Sequence, residues 1–148
     1  MKLASLKSGR DGRLVVVSKD LSSAAFAGDE LPTLQSALDS WDTVASNLED
    51  LYVALNGGTT SGAFKLEMDG LAAPLPRTYQ YLDGACYICH ISRNREARGD
   101  TLPADIYDAP LIYQGIWHGY GAWNDPIVGQ KEADLIDFEA EIAAITGD

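Results

Sequence analysis

Apolar residues near the start of the chain cluster in two short runs, Leu3–Leu6 and Leu14-Val-Val-Val17. Between them lies Ser8-Gly-Arg-Asp-Gly12, whose glycines and aspartate favour a tight turn, so the pair predicts an N-terminal β-hairpin. Past Pro32 the period changes. Leu34, Ala37, Leu38 and Trp41 recur at helical spacing behind Thr33, a residue type that caps helices, and the pattern resumes at Val44, Ala45, Leu48, Leu51, Tyr52 and Leu55. Asn56-Gly57-Gly58 then stops it. One helix of about six turns or two helices joined near Ser40–Asp42 satisfy this spacing equally. In either case the apolar stripe faces a core.

From Thr59 to Pro76 the chain is rich in Gly, Thr, Ser and Pro, and Leu71-Ala-Ala-Pro-Leu-Pro-Arg77 reads as a connector. Downstream, Gly99, Pro103, Pro110, Gly115, Gly119, Gly121 and Pro126 punctuate short segments with little helical periodicity, which predicts irregular β structure and long loops. Leu135–Ile145 alternates apolar and polar residues, the mark of a strand. The expected class is therefore α+β: a small N-terminal α+β domain with its connector over residues 1–77, followed by an incomplete, mainly β segment over 78–148.

Length and charge narrow the partners. The chain has 148 residues and a net charge of −11, an excess that repels phosphate backbones and anionic lipid. Nucleic acid and membrane surfaces are not expected partners. The N-terminus breaks its apolar residues with charge at once, leaving no core for a signal peptide. The longest charge-free stretch, Ala109–Asn124, holds three glycines and a proline and falls short of the roughly 18 apolar residues of a membrane span. With only Cys86 and Cys89 there is no disulfide scaffold, and a reducing cytoplasm is the expected compartment.

Three clusters could carry chemistry. In the predicted last strand Asp137, Glu139 and Glu141 share one face; the pattern reads first as a solvated outer face, and otherwise as oxygen ligands for a hard divalent cation. Cys86-Tyr-Ile-Cys89-His90 matches the c-type haem attachment pattern, C-x-x-C-H. That attachment calls for an exported chain and a second axial ligand, for which only His118 is on offer. Zinc held by Cys86, Cys89, His90 and His118 is four-coordinate on paper, but the two thiols serve equally as small buried hydrophobes. Finally, the run Leu111–Asn124 combines four aromatics, a histidine and three glycines, suited to lining a pocket or simply to packing.

Asp83 and His90, seven apart, with Glu139-Ala-Glu141 downstream, give the chain a pattern that resembles the fumarylacetoacetate hydrolase family. The opening Lys2–Ser18, the Pro32-Thr-Leu-Gln-Ser-Ala-Leu38 segment and Pro74-Leu-Pro-Arg77 look like bacterial members with a small N-terminal domain before the hydrolase core. Leu111-Ile-Tyr-Gln-Gly115 and Ile136-Asp-Phe-Glu-Ala-Glu141 look like early strands of that core, a β-roll. The resemblance implies Asp83, Glu139 and Glu141 as ligands of Mg²⁺, Mn²⁺ or Ca²⁺, and His90 as the general base that activates water. Tyr113 and, more loosely, Arg98 would contact substrate. It implies hydrolysis of a carbon–carbon bond in a β-diketo acid of the fumarylacetoacetate or acylpyruvate type, within aromatic amino acid catabolism, in a homodimer or with a complementing C-terminal half. Family members run to about twice this length, as two domains would. The chain is thus expected to be an incomplete part of such an enzyme; the alternative is a catalytically silent fragment or binding module.

Overall fold

A computed structural model of the chain describes residues 1–115, 119–129, 131–134 and 139–146. Its class is α+β, with three α-helices and two small sheets among these residues. The chain divides into two compact units, Met1–Arg77 together with Gly119–Asp148, and Thr78–His118.

The first unit is built on an antiparallel sheet. β1 (Leu3–Leu6), β2 (Arg13–Val17), β3 (Ser23–Phe26) and β4 (Phe64–Lys65) lie in that order. The predicted hairpin is present, with Ala4 opposite Val15 and Leu6 opposite Arg13. Its turn depends on Gly12, whose φ is +73° and whose missing Cβ would lie 2.8 Å from that of the buried Ser5. Ser5 in turn donates its hydroxyl to the carbonyl of Pro74 at 2.7 Å, so no buried polar group is left unpaired at this crowded corner.

The unbroken apolar run Leu14–Val17 has a structural cause. Alternate side chains of a strand point to opposite faces, and here both faces are covered. Leu14 and Val16 pack with Ala25, Leu34, Ala37, Leu48 and Leu55 in one cluster; Val15 and Val17 pack with Ala24 and Leu66 in another. The first cluster is roofed by α1 (Leu34–Leu38) and α2 (Trp41–Asn56). The helical pattern is thus two helices. Thr33 caps α1 in a capping box with Ser36, accepting from its backbone N–H at 3.0 Å, and the break falls at Asp39–Ser40.

Elements within the expected connector and before the helices are also ordered. β3 and β4 pair as Ser23 with Lys65 and Ala24 with Phe64; β3 is four residues with two alanines and β4 only two residues, too little for periodicity to reveal. Leu71 bridges to Leu6, so residues 64–72 span the second face of the sheet. Arg77 closes the segment with a two-pronged ion pair to Asp11, both contacts at 2.6 Å. Those hydrogen bonds hold the Asp11 carboxyl below its usual range.

Residues from Gly119 onward rejoin this unit rather than continuing the second. Tyr120 N–H donates to the Pro76 carbonyl at 3.0 Å, Trp123 Nε1 to the Met68 carbonyl at 2.9 Å, and Lys7 Nζ meets Asp125 at 2.9 Å. The predicted strand Leu135–Ile145 fares differently. Leu135–Phe138 lie outside the described residues, and residues 139–146 form no strand. Alternation supplies two faces but no partner, and Ile142 and Ile145 remain 86% and 51% exposed.

The second unit contains β5 (Leu82–Ala85), α3 (Ile88–Arg98) and β6 (Leu111–Gln114), with β5 and β6 antiparallel. The sequence pattern predicts a mainly β segment here; α3 is longer than either strand. Its apolar stripe is a single buried residue, Ile91, which is why periodicity does not betray it. Gly99, left-handed at φ +75°, ends it in the usual way.

Candidate functional site

Four of the six residues singled out for chemistry fall in the second unit. Asp83 lies on β5 and Tyr113 on β6, and the register sets them directly opposite each other. Cross-strand partners have Cβ atoms about 4.5–5.5 Å apart on one face, so a carboxylate and a phenol share the same side of this two-stranded sheet. Asp83 is half-buried and Tyr113 is exposed. Gly115, which follows β6, admits no side chain: a Cβ there would run into the Tyr81 ring, and its N–H donates to the Tyr81 carbonyl at 3.1 Å.

His90 is the third residue of α3 and is exposed. Its Nε2 sits 2.8 Å from Asn94 Nδ2, one helical turn on. An amide nitrogen donates, so in this contact the ring nitrogen is the acceptor. Asn94 is a positioning contact that sequence reasoning missed. Its i+4 spacing from His90 would have signalled it had the helix been recognised. Arg98 closes the same helix eight residues later, about 12 Å along the axis from His90, so the two stand at opposite ends of α3.

Glu139 and Glu141 belong to the other unit, in a described stretch without regular structure, and both are exposed. The strand that was to set them on one face is not formed there, and Asp137 lies outside the described residues. Among the described residues, no group of three or more His, Cys, Asp or Glu side chains is assembled to hold a metal ion. Cys86 and Cys89 are exposed rather than buried among hydrophobes. His118, the fourth ligand of the zinc arrangement, and Ile116 and Trp117 of the aromatic run lie outside the described residues.

A separate groove of about 920 Å³ opens on the first unit, between Leu3, the α1–α2 junction at Asp39–Thr43, Pro74 and Ile145. None of the six residues lines it. Among the described residues no helix is long and apolar enough to cross a membrane.

The first unit, not the second, decides the family. Residues 1–77 match the family model for fumarylacetoacetase N-terminal domain 2. This chain belongs to the fumarylacetoacetate hydrolase family. A comparison with curated proteins finds no match. The matched stretch carries the four-stranded sheet, α1, α2 and the segment that ends at the Asp11–Arg77 ion pair. As a fumarylacetoacetase N-terminal domain it contains none of the six residues, all of which follow Arg77. Family membership and the candidate chemistry thus rest on different parts of the chain.

Proposed function

We propose that this chain is part of a divalent-metal-dependent hydrolase that cleaves a carbon–carbon bond in a β-diketo acid of the fumarylacetoacetate or acylpyruvate type. The observation that carries the reading is the family domain over residues 1–77; the Asp83/His90 spacing and Glu139-x-Glu141 downstream support it. Three carboxylates are an oxygen donor set suited to Mg²⁺, Mn²⁺ or Ca²⁺. When bound, such an ion supplies positive charge that polarises a carbonyl. The described residues do not gather three ligands, and the remaining ligands would come from a second copy or a complementing chain.

What the chain's own residues would do is narrower. His90, its Nε2 lone pair engaged by Asn94, would release that contact to take a proton from water, which a neutral imidazole can do. Tyr113 and Asp83, sharing one face of the β5–β6 sheet, would orient the diketo group. The guanidinium of Arg98 suits the substrate carboxylate. The work would take place in the cytoplasm, in aromatic amino acid catabolism.

A second reading has an observation of its own. With no three potential ligands assembled among the described residues, the chain would be a domain with no turnover by itself. Calorimetric titration of the full chain with Mn²⁺ separates the two. The hydrolase reading expects weak binding that disappears in Glu139→Ala/Glu141→Ala and in Asp83→Ala. Equal binding in wild type and variants refutes those ligands. Ultraviolet loss of an acylpyruvate, abolished by His90→Asn, would refute the silent-domain reading.

A further inference from the structure

Cys86 and Cys89 have no part in the chemistry above, yet the fold holds them in a defined place. Both thiols are free and exposed, the condition under which cysteine is reactive rather than structural. Cys86 immediately follows β5, and Cys89 is the second residue of α3. The chain is pinned on each side of the pair. Cys86 N–H donates to the Gly84 carbonyl at 2.7 Å, and the N–H groups of His90 and Ile91 both donate to the Tyr87 carbonyl, at 3.0 and 3.2 Å. The first sulfur lies close to the strand, 3.4 Å from where a Cβ on Gly84 would stand.

Between the two pinned ends stands one extended residue. Tyr87 has φ −87° and ψ 94°, and no side chain caps the helix at this position. If Tyr87 turns into the helical region, α3 gains one residue and Cys86 becomes its cap. Helix geometry then sets the two Cα atoms, three residues apart, about 5 Å from each other, within the roughly 4.4–6.8 Å that a disulfide spans.

We propose that Cys86 and Cys89 form a redox-active dithiol whose oxidant is a low-molecular-weight disulfide such as oxidised glutathione. The deprotonated thiol of one cysteine attacks a sulfur of the small disulfide, breaking its S–S bond, forming a mixed disulfide and releasing one small thiol. The second cysteine attacks the protein sulfur of that mixed disulfide, forming Cys86–Cys89 and releasing the other small thiol. The protein loses two hydrogens and the oxidant becomes two thiols. Excess dithiol reverses both steps.

The test equilibrates the full chain with oxidised and reduced glutathione, quenches with an alkylating agent and weighs the intact protein. Wild type is expected to lose both alkylatable thiols without gaining glutathione mass, whereas Cys86→Ser and Cys89→Ser each retain one glutathione adduct. Repeating the wild-type titration in urea measures what the fold adds. Holding the flanking backbone in place is expected to raise the equilibrium constant about tenfold over the unfolded chain. Wild type that stops at glutathione adducts overturns the proposal, as do equal constants with and without urea.

Discussion

The two units of this chain are stabilised on different principles. In the first, every residue from Leu14 to Val17 is buried and the sheet has an apolar cluster on each face. In the second, Ile91 and Ile106 are the buried hydrophobics among the described residues, while Leu82, Leu111, Ile112 and Tyr113 of the β5–β6 ladder are all exposed. A two-stranded sheet has only marginal stability of its own in water. The lesson is that the part of the chain that fixes the fold and the family is not the part that carries the candidate chemistry. Of the six residues, Asp83 and Tyr113 stand on this thin, exposed ladder, where they can vary without disturbing the domain that defines the family.

The largest expected contrast is between core deletions. Leu48→Ala empties a fully buried position under the sheet and is expected to cost about 2–5 kcal/mol. Ile112→Ala, at a position 58% exposed, is expected to stay within about 0.5 kcal/mol. Urea denaturation of the two variants checks this, and equal losses would erase the distinction between the units.

Two glycines with nearly the same backbone angle sharpen it further. Gly12 and Gly99 stand at φ +73° and +75°, but an added Cβ meets Ser5 at 2.8 Å in the first case and nothing within 4 Å in the second. Gly99→Ala is expected to cost about 1 kcal/mol, for the left-handed backbone alone. Gly12→Ala adds a clash with buried neighbours and is expected to cost clearly more, read as a lower thermal midpoint. If Gly99→Ala is the more damaging, the second unit is more tightly determined than its exposure implies.

The smallest effect concerns pH. Asp20, in the β2–β3 turn, accepts hydrogen bonds from the Ser18 hydroxyl and from the Ser22 hydroxyl and N–H at 2.7, 2.8 and 3.0 Å. These hold its carboxyl down at about 2, against an ordinary 3.8. A carboxyl lowered in the folded state stabilises above its unfolded value and ceases to do so as it protonates. Stability should therefore decline as pH falls from about 4 to about 2. Asp20→Asn should flatten that part of the curve in acid denaturation, and an unchanged slope would show that the turn does not depend on the charge.

Much of the first unit was legible because its signals are local. The hairpin follows from Leu3–Leu6, Gly12 and the Leu14–Val17 run, and α1 and α2 from the spacing that ends at Leu55 and from Thr33. β3 and β4 were not legible: Ser23-Ala-Ala-Phe26 is unremarkable alone and becomes a strand only because β2 offers it an edge. α3 was hidden because one buried isoleucine leaves no stripe to read. The candidate site was legible as residue types and spacings, Asp83 with His90 and Glu139 with Glu141. Spacing did not foresee that Asp83 would face Tyr113, or that Asn94 would engage His90.

Sequence alone determined the N-terminal hairpin, the helical stretch that ends at Leu55 and its Thr33 cap, since turn chemistry and helical periodicity act within a few residues of each other; that the stretch is two helices, parted at Asp39–Ser40, came from the structure. Sequence likewise supplied the chain's acidic balance and the family pattern. Tertiary structure decided which runs become strands, because a strand exists only when another supplies its hydrogen bonds: β3 forms on the edge that β2 offers, whereas residues 139–146 form no strand. It also decided that the chain from Gly119 returns to the first unit, through Lys7, the Met68 carbonyl and the Pro76 carbonyl, contacts that no periodicity encodes.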